Sequence, residues 1–141
     1  MPRLFDTDAI SEVMRSRPLS GYLEWLKTIP REEQFISAVC LTELYHGALR
    51  AADGDRHLEH IERRLLPAIT VLPFDRSAAR VYGEIRTNLE KRGMPLPEAD
   101  LQIAATARYH GLHLVTGNIK HFERTPGLVI DPVLAEVRRA P

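Results

Sequence analysis

The sequence predicts an α/β fold, with a mainly parallel sheet of about four to five strands and helices on both faces. Two observations lead there. Short apolar runs of strand length alternate with segments of helical spacing along the whole chain. Strands separated by helices pair in parallel through right-handed crossovers, which spreads the helices over both faces. No repeat, low-complexity stretch or linker divides the 141 residues, so residues 1–141 are expected to form one domain.

Leu4 and Phe5 open a first strand that runs out at Asp6. Residues 8–15 read as a helix, with Ala9, Ile10, Val13 and Met14 on one side, and Pro18 interrupts the pattern. Residues 19–29 suggest a second helix, closed by Pro30. Residues 35–39 form a second strand, followed by helical spacing from Leu41 to about Ala52. Asp53, Gly54 and Asp55 make a turn before a helix at 56–66. Thr70, Val71 and Leu72 are a third strand ended by Pro73, and residues 76–92 are a long helix that stops at Gly93. Pro95 and Pro97 mark a loop ahead of a helix at 98–110, which Gly111 terminates. Residues 112–116 and 128–130 complete the strands.

Composition excludes several classes. Hydrophobic residues make up 44%, enough for a real core and too many for a disordered chain. Lys plus Arg and Asp plus Glu number 19 each, so no net charge draws the chain toward nucleic acid or anionic lipid. Any such binding must rest on a local basic patch or on metal ions. Cys40 is the single cysteine, which precludes an intrachain disulfide and fits a reducing compartment. The opening MPRLFDTDAI lacks a signal-peptide core, and no apolar run approaches a membrane span. A cytoplasmic location without membrane contact is expected.

In open parallel sheets the ligand site lies outside the carboxyl ends of the strands. Asp6 and Asp8 fall where the first strand ends. Glu43 is expected in the first turn of the helix after the second strand, and Asp100 in the first turn of the helix after Pro97. Asn118 lies just past the fourth strand. An Asp at a helix start is ordinarily a cap or dipole partner that stabilises by roughly 1 kcal/mol. Glu43 and Asp100, however, are flanked by Leu41 and Leu44, and by Ala99 and Leu101, where burying an unpaired carboxylate is costly. Gathering Asp6, Glu43 and Asp100 together would raise their pKa values, and a divalent cation removes that penalty. Oxygen donors with no Cys or His set favour magnesium or manganese over zinc.

Other chemistries have weaker support. There is no G-x-S-x-G, and Cys40 lacks an evident His–Asp set, so it reads as a small core residue. His57 and His60 read as solvated, and His46, one turn after Glu43, as packing. Asp6-Thr7-Asp8 after an apolar strand resembles the D-x-D start of haloacid-dehalogenase-type phosphatases, with Asp6 as nucleophile. The later acid pair that reaction needs is missing, and Glu43 is left unexplained. Arg86, Lys91, Arg92, Lys120 and Arg124 lie near the segments flanking the proposed site, either as substrate contacts or as ordinary solvated side chains. Aromatics, at 6%, form no stacking row for bases.

The segments FDTDAISEV, AVCLTELYHGA, EADLQIAATARYHGLHLVTGN and IKHFERTPGL together resemble the PIN-domain ribonucleases known as VapC toxins, in order from residue 4 to about 130. The resemblance implies a three-layer PIN-like fold and a metal-dependent endoribonuclease that hydrolyses phosphodiester bonds in RNA. It implies that Asp6, Glu43 and Asp100 are the metal ligands, for Mg2+ or Mn2+. Asn118 takes a fourth position that is Asp or Asn in the family, and Thr116 positions a ligand or water. Asp8, at a position often held by Asn, and Glu98 are auxiliary candidates. A homodimer and a cognate antitoxin that blocks the acids, in a toxin–antitoxin hetero-oligomer, also follow from the resemblance. Helices 19–29 and 41–66 offer Trp25, Leu26, Tyr45, Leu58 and Ile61 to such a partner or, for most of them, to the core. The neutral Asn118 keeps open a degenerate PIN-like binding module that holds a cation without cleaving.

Overall fold

Leu4, Ile36 and Leu114 have no solvent exposure, and they are neighbours in one sheet. The computed structural model describes residues 1–140. Its five strands are β1 (Arg3–Phe5), β2 (Gln34–Ser37), β3 (Thr70–Leu72), β4 (His113–Val115) and β5 (Ile130–Asp131). They lie in the order β3-β2-β1-β4-β5, and every pairing is parallel. Successive residues point to opposite faces of a strand. Leu4 and Phe5 on β1, and Leu114 and Val115 on β4, are all buried, so both faces are covered.

The covering helices are α1 (Thr7–Met14), α2 (Ser20–Leu26), α3 (Ala38–Arg50), α4 (Gly54–His60), α5 (Arg76–Lys91), α6 (Glu98–His110), α7 (Ile119–Phe122) and α8 (Val133–Arg139). Helix α6 is buried at Leu101 and from Ile103 to Ala107, and it packs on α5. Its small side chains allow that close approach. It ends where Gly111 turns left-handed at φ +67°, a conformation glycine adopts without a Cβ penalty.

Most expected elements are present, with local differences. Helix α3 begins at Ala38, because the Ser37 hydroxyl accepts the Cys40 amide at 3.0 Å and caps the helix directly after β2. The turn expected at 53–55 already enters α4, which continues into one π-helical turn at Ile61–Leu65. Strand β5 forms at Ile130–Asp131, where Ile130 meets Leu114. A 3-10 turn at Arg31–Glu33 and helices α7 and α8 were not expected from the apolar spacing. Helix α8 starts directly after Pro132, buries Leu134 and Ala135, and brings Val137 against Gly21 of α2.

Leu114→Ala leaves a cavity at the centre of the sheet. The expected loss is about 2–5 kcal/mol, read as a lower urea midpoint with an unchanged m-value.

Candidate active site

Asp6 follows β1 and is the N-cap of α1, with its Oδ1 accepting the Ala9 amide at 2.8 Å. The cap alone is an ordinary structural role. Its surroundings are not ordinary, because Asp6 is only 5% exposed and, among the described residues, no cationic side chain pairs with it. Its bonds come from the Ala9 amide and from Thr116, itself buried at the end of β4. The Thr116 oxygen also accepts the Asn118 amide at 3.0 Å, which leaves its hydroxyl proton for Asp6. Burial pushes the Asp6 carboxyl up to about 7. The bonds from Thr116 and Ala9 oppose that rise, and the nearby charges of Asp8 and Asp100 add to it.

Asp6 and Asp8 at the start of α1 and Asp100 at the start of α6 lie at one rim of the sheet. Glu43 joins them through α1, since the Thr7 hydroxyl donates to its Oε1. Asp6 and Glu43 both bear on buried Cys40, whose thiol is pushed up to about 12, chiefly by burial. A thiol so held is no nucleophile near neutral pH. Glu43 corrects the expectation in two respects. It lies in the second turn of α3 rather than the first, because the Ser37 cap starts the helix early, and it is exposed rather than embedded. The deeply buried acid is Asp6.

Asp100 is in the first turn of α6, with Oδ2 2.8 Å from His121 Nε2 on α7. The apolar spacing gave no sign of His121, because α7 is only four residues long. Its position three residues past Asn118, within the HFER run, was the available signal. Asn118 is exposed at the start of α7, and its side chain makes no capping bond.

The two auxiliary candidates are otherwise engaged. Both carboxylate oxygens of Asp8 are taken by Arg138 of α8, at 2.8 and 3.0 Å, a partner that could not be foreseen without α8. Glu98 accepts Tyr82 Oη at 2.6 Å and Gln102 at 3.0 Å and lies 3.6 Å from Arg86, so it is bonded to α5 and its own helix.

The basic residues divide similarly. Arg92 donates to the Arg124 carbonyl at 2.9 Å, and Arg124 to the carbonyls of His121 and Pro95 at 3.1 and 3.2 Å. These two arginines tie the 93–97 loop to α7. Lys91 and Lys120 are exposed and make no ion pair among the described residues. His57, expected to be solvated, is half-buried with Nε2 3.1 Å from Asp53, while His46 is exposed. A groove of about 290 Å3 between α1 and α3, lined by Met14, Leu44 and Ala48, runs to Thr7 and Glu43.

Among the described residues, no three carboxylate, imidazole or thiol side chains stand close enough together to grip an ion. The chemistry of the donors nevertheless suits a hard divalent cation. A buried carboxylate with neutral bonding partners, raised further by two neighbouring acids, gains from positive charge, and the groups around it offer oxygen.

A parallel α/β sheet with Asp6 after β1, Glu43 on the helix after β2 and Asp100 in the first turn of α6 places oxygen donors at one rim. A PIN domain family model matches residues 3–128, and the chain belongs to that family. Ribonucleases of this family are generally divalent-metal dependent. The chain is 32% identical over 134 residues to Toxin FitB of Neisseria gonorrhoeae, covering 92% of this chain and 96% of that protein. It is 34% identical over 125 residues to the tRNA(fMet)-specific endonuclease VapC of Shigella flexneri, covering 89% and 92%. The crystal structure of DNA-bound VapBC from Salmonella typhimurium superposes with a TM-score of 0.86 at 31% identity, covering 93% of this chain and 98% of that one. FitAcB from Neisseria gonorrhoeae superposes at 0.84 with 31% identity, covering 92% and 96%. These relatives favour the PIN reading over a phosphatase.

Asp6 holds its proton more tightly in the folded chain than in the unfolded one, so stability falls as pH rises from about 4 through about 7. Asp6→Asn removes that cost. With chelator present, the variant should melt above the wild type at pH 8, and the gap should close toward pH 5. Differential scanning calorimetry across that range reads the difference.

Proposed function

We propose that this chain is the toxin of a type II toxin–antitoxin pair and acts as a metal-dependent endoribonuclease in the cytoplasm. The single observation that carries the reading is the buried, raised carboxylate of Asp6, coupled to Asp8 and Asp100 at the carboxyl edge of a PIN-family sheet. The names of the relatives, a VapC endonuclease and VapBC complexes among them, support the substrate class and the partner.

Asp6, Glu43 and Asp100 would hold Mg2+ or Mn2+, with Asn118 adding a neutral oxygen. A bound divalent cation supplies a water of lowered pKa and positive charge at the scissile phosphate. The rest is the work of this chain's own groups. Thr116 and the Ala9 amide fix the orientation of the Asp6 carboxylate. Thr7 fixes Glu43 from the adjoining helix, and His121 fixes Asp100. No Ser, Thr or Cys is needed as nucleophile, and the protonated Cys40 agrees with that. Lys91 and Lys120, which form no ion pair among the described residues, are cations available to an RNA backbone.

The groove between α1 and α3 would receive an apolar segment of the antitoxin and close off Glu43. A Cβ on Gly47, which lines it, would meet no atom within 4 Å, so a side chain fits there without disturbing α3.

Two outcomes test the reading. Expression should arrest growth, and sequencing of RNA ends should show discrete cleavage that chelator abolishes. Asp100→Asn should lower cleavage by about 100-fold or more while leaving the melting temperature near that of the wild type. Undiminished cleavage by that variant would sink the assignment. Gly47→Arg should fold normally yet fail to copurify with the antitoxin encoded beside it.

A further inference from the structure

Asp8 sits beside the buried acid of the site, yet its charge is already spoken for. Arg138 approaches it end-on with two parallel bonds, 2.8 Å to Oδ2 and 3.0 Å to Oδ1. Such paired bonds fix geometry as well as charge. A third bond runs from the same guanidinium to Glu12 Oε1 at 3.1 Å, and the Glu12 side chain has no exposure at all. The same group presses on the turn after β4. A Cβ built on Gly117 would stand 2.2 Å from Arg138 Nη1 and 2.5 Å from Asp8 Oδ2. Glycine therefore separates Thr116 from Asn118 because the ion pair fills the space where a side chain would go.

Arg138 is thus joined to three segments at once: the first helix at Asp8 and Glu12, the β4 turn at Gly117, and its own helix. It also lies beyond residue 128, where the family match ends. Helix α8 is held in place by the buried Leu134 and by Val137 against Gly21. The guanidinium is consequently presented from a packed element rather than a loose tail.

We propose that Arg138 is a positioning residue of the nuclease site: it neutralises Asp8 and holds it out of the metal-ligand set, leaving the cation to Asp6, Glu43 and Asp100. This rests on the ribonuclease reading given above. Without Arg138, Asp8 would be an additional free anion at the rim. It would draw a divalent cation more strongly and repel the RNA phosphate.

Mn2+ binding followed by electron paramagnetic resonance, together with steady-state cleavage of RNA, separates the alternatives. Arg138→Gln should tighten Mn2+ binding several-fold and raise KM for RNA by about tenfold, with a smaller change in kcat. Asp8→Asn combined with Arg138→Gln should return both values to within about twofold of wild type, because charge is again balanced. The melting temperature should stay below wild type in that double variant, since the buried Glu12 has lost its bond from Arg138 and keeps only those from Arg15 and the Leu19 amide. Arg138→Lys, which keeps the charge, should bind Mn2+ like the wild type and guards against a folding defect in the glutamine variant. The proposal is overturned if Arg138→Gln leaves Mn2+ binding and KM unchanged, or if the double variant recovers neither. A wild-type chain that binds Mn2+ but cleaves no RNA would refute the ribonuclease reading, while the Mn2+ titration would still report on the Asp8–Arg138 pair. A wild-type chain that binds no Mn2+ would overturn both.

Discussion

One carboxylate, that of Asp6, is held almost out of water at the end of the central strand, bonded by the neutral Ala9 amide and Thr116 hydroxyl. Ionising such a group in the interior is costly, about 1.4 kcal/mol for every tenfold displacement of its proton equilibrium. The fold accepts that cost at a position it could have filled with an uncharged cap. Ser37 shows this, since it caps α3 in the corresponding place after β2 with a hydroxyl and no charge. The two neighbouring strands thus end in the same local device, and only one of them carries an acid.

The remaining acids at the rim are each placed by a different kind of partner. Asp8 has a guanidinium, Asp100 an imidazole, and Glu43 a hydroxyl. Asp6 and Glu43 therefore keep their charge uncompensated, whereas the other two share theirs with basic side chains. This gradation gives the site a preferred centre. Positive charge entering from solvent is worth most next to Asp6, where the dielectric is lowest. The orienting partners come from α1, α7, α8 and the end of β4, so the rim is organised by segments from both ends of the chain.

Much of this was legible in the residues. The strand–helix alternation, the parallel pairing and the bounds of β3 and α6 follow from apolar spacing and from Pro97 and Gly111, which are strong local signals. The placing of Asp6 directly after β1 and of Asp100 in the first turn of α6 was legible because strand ends and helix starts are marked in the residues. What the spacing concealed has physical causes. A cap bond at Ser37 moved the start of α3, and no periodic pattern encodes such a bond. Helices of four and seven residues, α7 and α8, are too short to establish a period, and with them went His121 and Arg138. Asp8 looked like a spare ligand because its partner is 130 positions away in sequence. The burial of Asp6, by contrast with the flanks of Glu43, depends on Thr116 and on both neighbouring strands, and no local window contains them.

The order of strands has a consequence for when the acidic rim is assembled. Strand β1, which precedes the other four in the chain, lies in the middle of the sheet, and one of its two neighbours is β4, with Arg3 facing His113. Asp6 can be enclosed only when Thr116 arrives, and Arg138 reaches Asp8 later still. Contacts between such distant segments form slowly and cannot precede the emergence of both. A nascent chain therefore carries its acids unassembled until the segments bearing Thr116 and Arg138 have both emerged.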